Sequence, residues 1–136
     1  MKDLFDVHED IISLINVPAV TNLLTGKIFS IYKPSGRSHL SDIVVKTLFG
    51  TWEQIQHSIV IINIHTPEIM SNGAMVGDQI KLQKIADAMA PLLDDQHRST
   101  FWTELEYQRI SKTLDNKMMY VFRVHYYHFA SDYNNI

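Results

Sequence analysis

The chain has 136 residues, 46% of them hydrophobic, with twelve Lys and Arg against fifteen Asp and Glu, a formal charge of −3 and no cysteine. A domain of this length buries roughly two thirds of the surface its unfolded chain exposes, so it holds a core unaided, while a weakly negative balance supplies no general pull toward phosphate backbones or anionic lipid. The absence of thiols excludes disulfides, thiolate nucleophiles and sulfur-ligated zinc, and fits a reducing compartment.

The first segment, Asp3 to Asn16, spaces Leu4, Val7, Ile11, Leu14 and Ile15 by three and four residues, with Asp6, Glu9 and Asp10 on the remaining arc. That pattern predicts an amphipathic helix with Asp3 or Asp6 as its cap. Four acidic residues among the first ten, and no basic start followed by an apolar block, do not read as a signal peptide. Pro18 ends the helix, and Ala19 to Leu24 makes one further turn before Thr25-Gly26. Lys27 to Lys33 reads as a strand through Ile28, Phe29, Ile31 and Tyr32, and stops at Pro34-Ser35-Gly36-Arg37-Ser38. A weaker strand covers Asp42 to Leu48 and closes at Gly50.

The strongest strand is Gln56 to His65. Side chains alternate along a strand, so Ser58, Val60, Ile62 and Ile64 point one way and His57, Ile59, Ile61, Asn63 and His65 the other. The first set should meet the core. The apolar run Ile59 to Ile64 is interrupted at Asn63 and is too short to span a bilayer, so a soluble, intracellular chain is expected. After Thr66-Pro67 the chain reads as a loop through Ser71-Asn72-Gly73 and Gly77. Asp78 then caps a helix whose stripe is Ile80, Leu82, Ile85, Met89, Leu92 and Leu93, with a kink or end expected near Ala90 because Pro91 removes a backbone donor.

Thr100 to Ser111 alternates, with Phe101, Leu105 and Tyr107 on one side and Trp102, Glu104, Glu106 and Gln108 on the other; Leu114-Asp115-Asn116 supplies a turn. Lys117 to Phe129 follows as a long strand with Met118, Tyr120, Phe122, Val124 and Tyr126 on one face and Met119, Val121, Arg123, His125 and Tyr127 on the other. Residues 131–136 read as a polar, frayed tail. Strands that run in groups with one helix between them predict a single α+β domain over residues 1–136: a mostly antiparallel sheet of four to five strands with two main helices packed on one face.

Residues able to carry chemistry are scattered. His57 and His65 share a face but lie eight positions apart, roughly 26 Å at the rise of a strand, so they cannot chelate one ion. His125 and His128 face opposite sides, whereas His57 or His65 could meet His125 across strands. Glu104 and Glu106 form the minimal arrangement of paired carboxylates, a pattern that a solvated strand face also produces. No glycine-flanked serine elbow or Gly-rich phosphate loop is present. Lys33 and Arg37 bracket a surface turn with amides that could touch a phosphate. The aromatic last strand could stack nucleobases, yet only Arg123 and Lys117 accompany it. Both of its faces are partly apolar, and a face that helices leave uncovered needs a partner. Ile59, Ile61, Met119, Val121, Arg123 and Tyr127 are therefore the expected subunit interface, and no enzyme, cofactor or metal is expected.

The layout resembles the tail-terminator or tail-completion proteins of long-tailed bacteriophages, the group with minor tail protein U-like folds. The residues that carry the resemblance are the helix ending in Asn22-Leu23-Leu24-Thr25-Gly26-Lys27-Ile28-Phe29, a Pro/Gly-rich loop and the strand Ser58 to His65. The helix Ile80 to Met89 and a closing hairpin ending in Tyr120-Val121-Phe122-Arg123-Val124-His125-Tyr126 follow them. Met70 to Gly77 and Pro91 depart from that layout. The resemblance implies a non-enzymatic subunit of a closed, commonly hexameric ring that caps the tail tube and offers a surface to the neck. Lys33 and Arg37 would lie on the loop meeting tail or neck proteins, DNA would only pass through the channel, and neither membrane nor small-molecule substrate would be bound. The protein would belong to the virion tail, assembled in the bacterial host cytoplasm. Another neck or head-completion protein, or a stand-alone ligand-binding module, is the alternative.

Overall fold

The structure, a computed structural model, describes residues 3–50 and 55–129. Helix α1 spans Leu4–Ile15 and opens on a reciprocal cap: the Asp3 carboxylate accepts from the Asp6 amide (2.9 Å) and the Asp6 carboxylate from the Asp3 amide (3.0 Å). Both candidate caps therefore act at once, satisfying two amides that the first turn leaves without intrahelical partners. The buried stripe is Val7, His8, Ile11, Leu14 and Ile15. Leu4, expected on that stripe, is exposed. Pro18 takes the first position of a short helix α2, Pro18–Thr21, where its missing donor does no harm.

Strand β1 covers only Ile28–Ser30, because Ile31 adopts a φ of 75°, a left-handed conformation that a β-branched residue rarely takes and that turns the chain out of the sheet. Strands β2 (Asp42–Gly50) and β3 (Ile55–His65) follow. Two three-residue strands, β4 (Ile69–Ser71) and β5 (Ala74–Val76), then form a ribbon of their own. Helix α3 runs Gln79–Leu93, capped by Asp78, whose carboxylate accepts from the Lys81 amide (3.1 Å). Pro91 does not end it near Ala90. The proline sits in the last turn, and the Asp94 amide still bonds to the Ala90 carbonyl (3.2 Å). Strands β6 (Gln96–His97), β7 (Phe101–Lys112) and β8 (Met118–Phe129) complete the chain.

The expected sheet of four to five mostly antiparallel strands under two helices is not the sheet that forms. The main sheet is curled and has six strands, ordered β1-β2-β3-β8-β7-β6, and it is mixed, since β1 lies parallel to β2. A second sheet contains β4 and β5, and the described residues include three helices. Alternation reports which residues share a face but not the direction of a neighbouring strand, and a two-residue strand such as β6 is too short to show any period. The expected frayed tail, 131–136, lies outside the described residues.

The core lies between the helices and one sheet face. Val45, Val60, Ile62, Ile64, Tyr120, Phe122, Val124 and Tyr126 meet Ile11, Ile15, Leu82, Ile85, Met89 and Leu93 there. Polar ties fix the helices on that face. Both ring nitrogens of buried His8 bond across elements, Nδ1 to Ser30 Oγ (2.8 Å) and Nε2 to Thr47 Oγ1 (2.7 Å), and burial lowers its pKa. Tyr126 donates its hydroxyl to Asp10. Thr103 Oγ1 donates to the Leu93 carbonyl (2.8 Å), satisfying an acceptor at the helix end and joining α3 to β7.

Candidate functional site on the helix-free sheet face

The register of β2, β3, β8 and β7 decides which side chains share the other face. Across β3 and β8 the pairs are His65 with Met119, Asn63 with Val121, Ile61 with Arg123, Ile59 with His125 and His57 with Tyr127. On the far side of β8, Tyr127 pairs with Trp102, His125 with Glu104, Arg123 with Tyr107 and Val121 with Arg109. The last two pairs exist because β7 carries a bulge between Leu105 and Tyr107. One extra residue reverses the alternation beyond it. Tyr107 was expected on the side of Phe101 and Leu105; it lies instead on the helix-free side beside Arg109, whose guanidinium sits 4.9 Å from its ring centre. Gln108 moves the opposite way.

All six expected interface residues occupy this face, to different depths. Ile59 is 4% exposed and Val121 8% exposed, yet neither belongs to the core beneath the helices. Ile61, Met119, Arg123 and Tyr127 are half-buried. The centre of the face is thus buried, and the half-exposed residues form its accessible part.

Rings and charges dominate that part. Trp102 stacks on Tyr127 (centroids 5.1 Å apart, planes 13° from parallel), and Tyr127 stacks on His57 (4.6 Å, 8°). His57 Nε2 lies 2.7 Å from His125 Nδ1, and His125 Nε2 lies 2.6 Å from Glu106 Oε1. A carboxylate accepts only, so His125 donates from Nε2, and when His125 is neutral its Nδ1 accepts from His57 Nε2. Arg123 Nε stands 3.1 Å from the second Glu106 oxygen. Burial lowers the His57 pKa, the nearby His125 lowers it further, and Glu104 opposes both. Burial, with Glu104, raises that of Tyr127.

Of the histidines able to meet across strands, His57 reaches His125, and His65 faces Met119 instead. His128 lies buried on the helix side. One nitrogen of each imidazole meets the other ring, and the described residues hold no group of three or more His, Asp or Glu placed to bind a metal ion. Glu106 spends both oxygens on Arg123 and His125, so Glu104 and Glu106 are not an isolated carboxylate pair. Such a row orients rings and charges at a surface.

Lys33 and Arg37 have separate fates. Arg37 is drawn inward: Nε and Nη2 each donate to the buried Asp42 carboxylate at 2.9 Å, and the guanidinium lies 4.8 Å from the Phe29 ring centre. Lys33 and Arg37 both border an open cavity of about 320 Å³ that also receives His65, Glu68, Asp115 and Lys117. Burial lowers the Lys33 pKa. Burial also lowers that of His65, to about 4, with the Lys33 cation reinforcing it. With Arg37 paired to Asp42, Lys33 and Lys117 face Glu68 and Asp115 there, so the cavity carries no single-sign attraction for a ligand.

Sequence reasoning missed the stacking of Trp102 on Tyr127, the bulge and the β4–β5 ribbon. Only the last had a local signal, Asn72-Gly73 between short apolar runs. Comparison with known proteins finds no matching family model and no matching curated protein.

Proposed function

We propose that the chain is a non-enzymatic structural subunit that assembles with copies of itself into a ring of the tail-terminator type, capping a phage tail tube and joining it to the neck. The observation that carries the proposal is the two-sided sheet. Its helices cover one face, while the other presents half-buried Ile61, Met119, Arg123 and Tyr127 beside stacked rings and an Arg–Glu–His chain. Broad surfaces with apolar and aromatic centres and charged margins suit protein contacts, and rings are built from contacts between two different patches of neighbouring subunits. A net charge of −3 is compatible with a channel through which DNA slides without being held.

Native mass spectrometry and negative-stain imaging of the purified chain, alone and with tail tubes, test the reading. Closed rings of one subunit number, seated on tube ends, are the expected result. A monomer at high concentration that forms no ring on tubes would sink it.

A further inference from the structure

The β4–β5 ribbon takes no part in the surface above. Ile69 pairs with Val76, Met70 with Met75 and Ser71 with Ala74, so the two methionines share one side and Ile69 and Val76 the other. Both sides are apolar, no residue from Ile69 to Val76 is charged, and every one is exposed, Met70 to 65% and Met75 to 54%. Asn72 and Gly73, with φ of 50° and 81°, form the two-residue turn that suits a right-twisted ribbon. The backbone is thus arranged while the side chains bury little, and a lone two-stranded ribbon is marginal in water. Its base is anchored. Gly77 fits against Met118 so closely that a Cβ there would lie 2.6 Å from the Met118 Cβ.

Strand β7 has the complementary vacancy. Strand β6 pairs only with Thr103 and Trp102, and the Asp94 side chain takes the Leu105 amide. From Glu106 to Lys112, among the described residues, one edge of β7 has no strand beside it. The bulge twists the start of that run, leaving Gln108 to Lys112, with Ile110 exposed, as its regular part. Outward-pointing amides and carbonyls there accept another strand whatever its side chains. The mixed charges of Arg109, Lys112 and Glu106 set up no like-charge repulsion against an uncharged ribbon.

We propose that the β4–β5 ribbon of one copy docks as an added strand along Gln108–Lys112 of a second copy. This rests on the ring reading and names its contact, a join between two different patches that can propagate around a ring.

The cysteine-free chain allows a clean test with single-cysteine variants. Met70→Cys protein is mixed with Ile110→Cys protein and treated with a short bismaleimide. A mixed cross-linked dimer, formed several-fold more than by either variant alone or by Met70→Cys with Lys84→Cys, is the expected result. A mixed product no stronger than those controls overturns the docking, whether or not rings form; rings seen in that case leave the assembly reading standing. A second variant, Met70→Cys/Met75→Lys, keeps the thiol and should lose the cross-link to Ile110→Cys with an unchanged circular-dichroism spectrum. Undiminished cross-linking by that variant also overturns the proposal.

Discussion

Replacing Asp42 with asparagine removes a charge and almost no volume, so its effect isolates the electrostatics of one buried junction. The carboxylate is fully buried and accepts from the Lys27 amide (2.8 Å) and from two Arg37 nitrogens (2.9 Å each). Asparagine keeps an acceptor for Lys27 but turns an NH2 toward the guanidinium, donor against donors. Stranding a wholly buried charge costs about 3–5 kcal/mol. Arg37 is 20% exposed, so it recovers some hydration. The oxygen kept for Lys27 also takes Arg37 Nη2, so the variant loses the Nε bond outright and the charge assistance of the other; at about 1.5–3 kcal/mol for a charged bond, less that recovery, the loss is about 2–3 kcal/mol. Urea unfolding of wild type, Asp42→Asn, Arg37→Met and the double variant measures it, with a coupling of about 2 kcal/mol expected from the cycle. Burial alone would raise the Asp42 carboxyl, but the hydrogen bonds from Arg37 and the Lys27 amide, with the attraction of Arg37 and Lys33, hold it below the ordinary value. A depressed carboxyl contributes stability above its unfolded pKa, which is lost as pH falls through the folded value. The gap between wild type and Asp42→Asn should therefore persist down to about pH 4 and close below it. A loss under about 1 kcal/mol, or no coupling, refutes the account.

Two further outcomes are expected. His65 titrates at about 4 in the fold against 6.5 ordinarily, so its contribution is complete above pH 6.5, declines as the pH falls toward 4 and is gone below. The full shift corresponds to about 3 kcal/mol, roughly half of that once its partial exposure is allowed for; His65→Gln should flatten the stability curve across that window, and an unchanged slope would contradict the assignment. Gly77→Ala would place a Cβ 2.6 Å from that of Met118, forcing a backbone shift at the ribbon base that costs about 1–3 kcal/mol in urea unfolding. Wild-type stability would show that the close approach is not there.

Periodicity made much of this architecture legible. Val7, Ile11, Leu14 and Ile15 on α1, Leu82, Ile85 and Met89 on α3, and the alternate residues of β3 and β8 lie in the core where their spacing placed them. The shortfalls share a cause. Strand β1 stops early because Ile31 leaves extended geometry, and β6 has two residues; neither event alters a hydrophobic period. The ribbon was readable at Asn72-Gly73, but its flanks are three residues each, too short to compete with a loop reading. Candidate chemistry was legible only as possible encounters. His57 and His125 meet through a pairing register between segments 68 positions apart, and Glu106 meets His125 through the register of β7 with β8. Register is a property of the assembled sheet, set by turns and burial together, and no single segment displays it.

The extra residue in β7 makes the strand sensitive to parity. Deleting Glu106, the residue without a partner across the ladder, would restore plain alternation and leave Tyr107 and Arg109 on the helix-free face and Gln108 and Ile110 on the other, whereas the same deletion elsewhere in β7 would turn part of the strand over. The strand should therefore lose this one residue with little change of face, while a single deletion at a paired position would do more damage than most single substitutions along the same stretch.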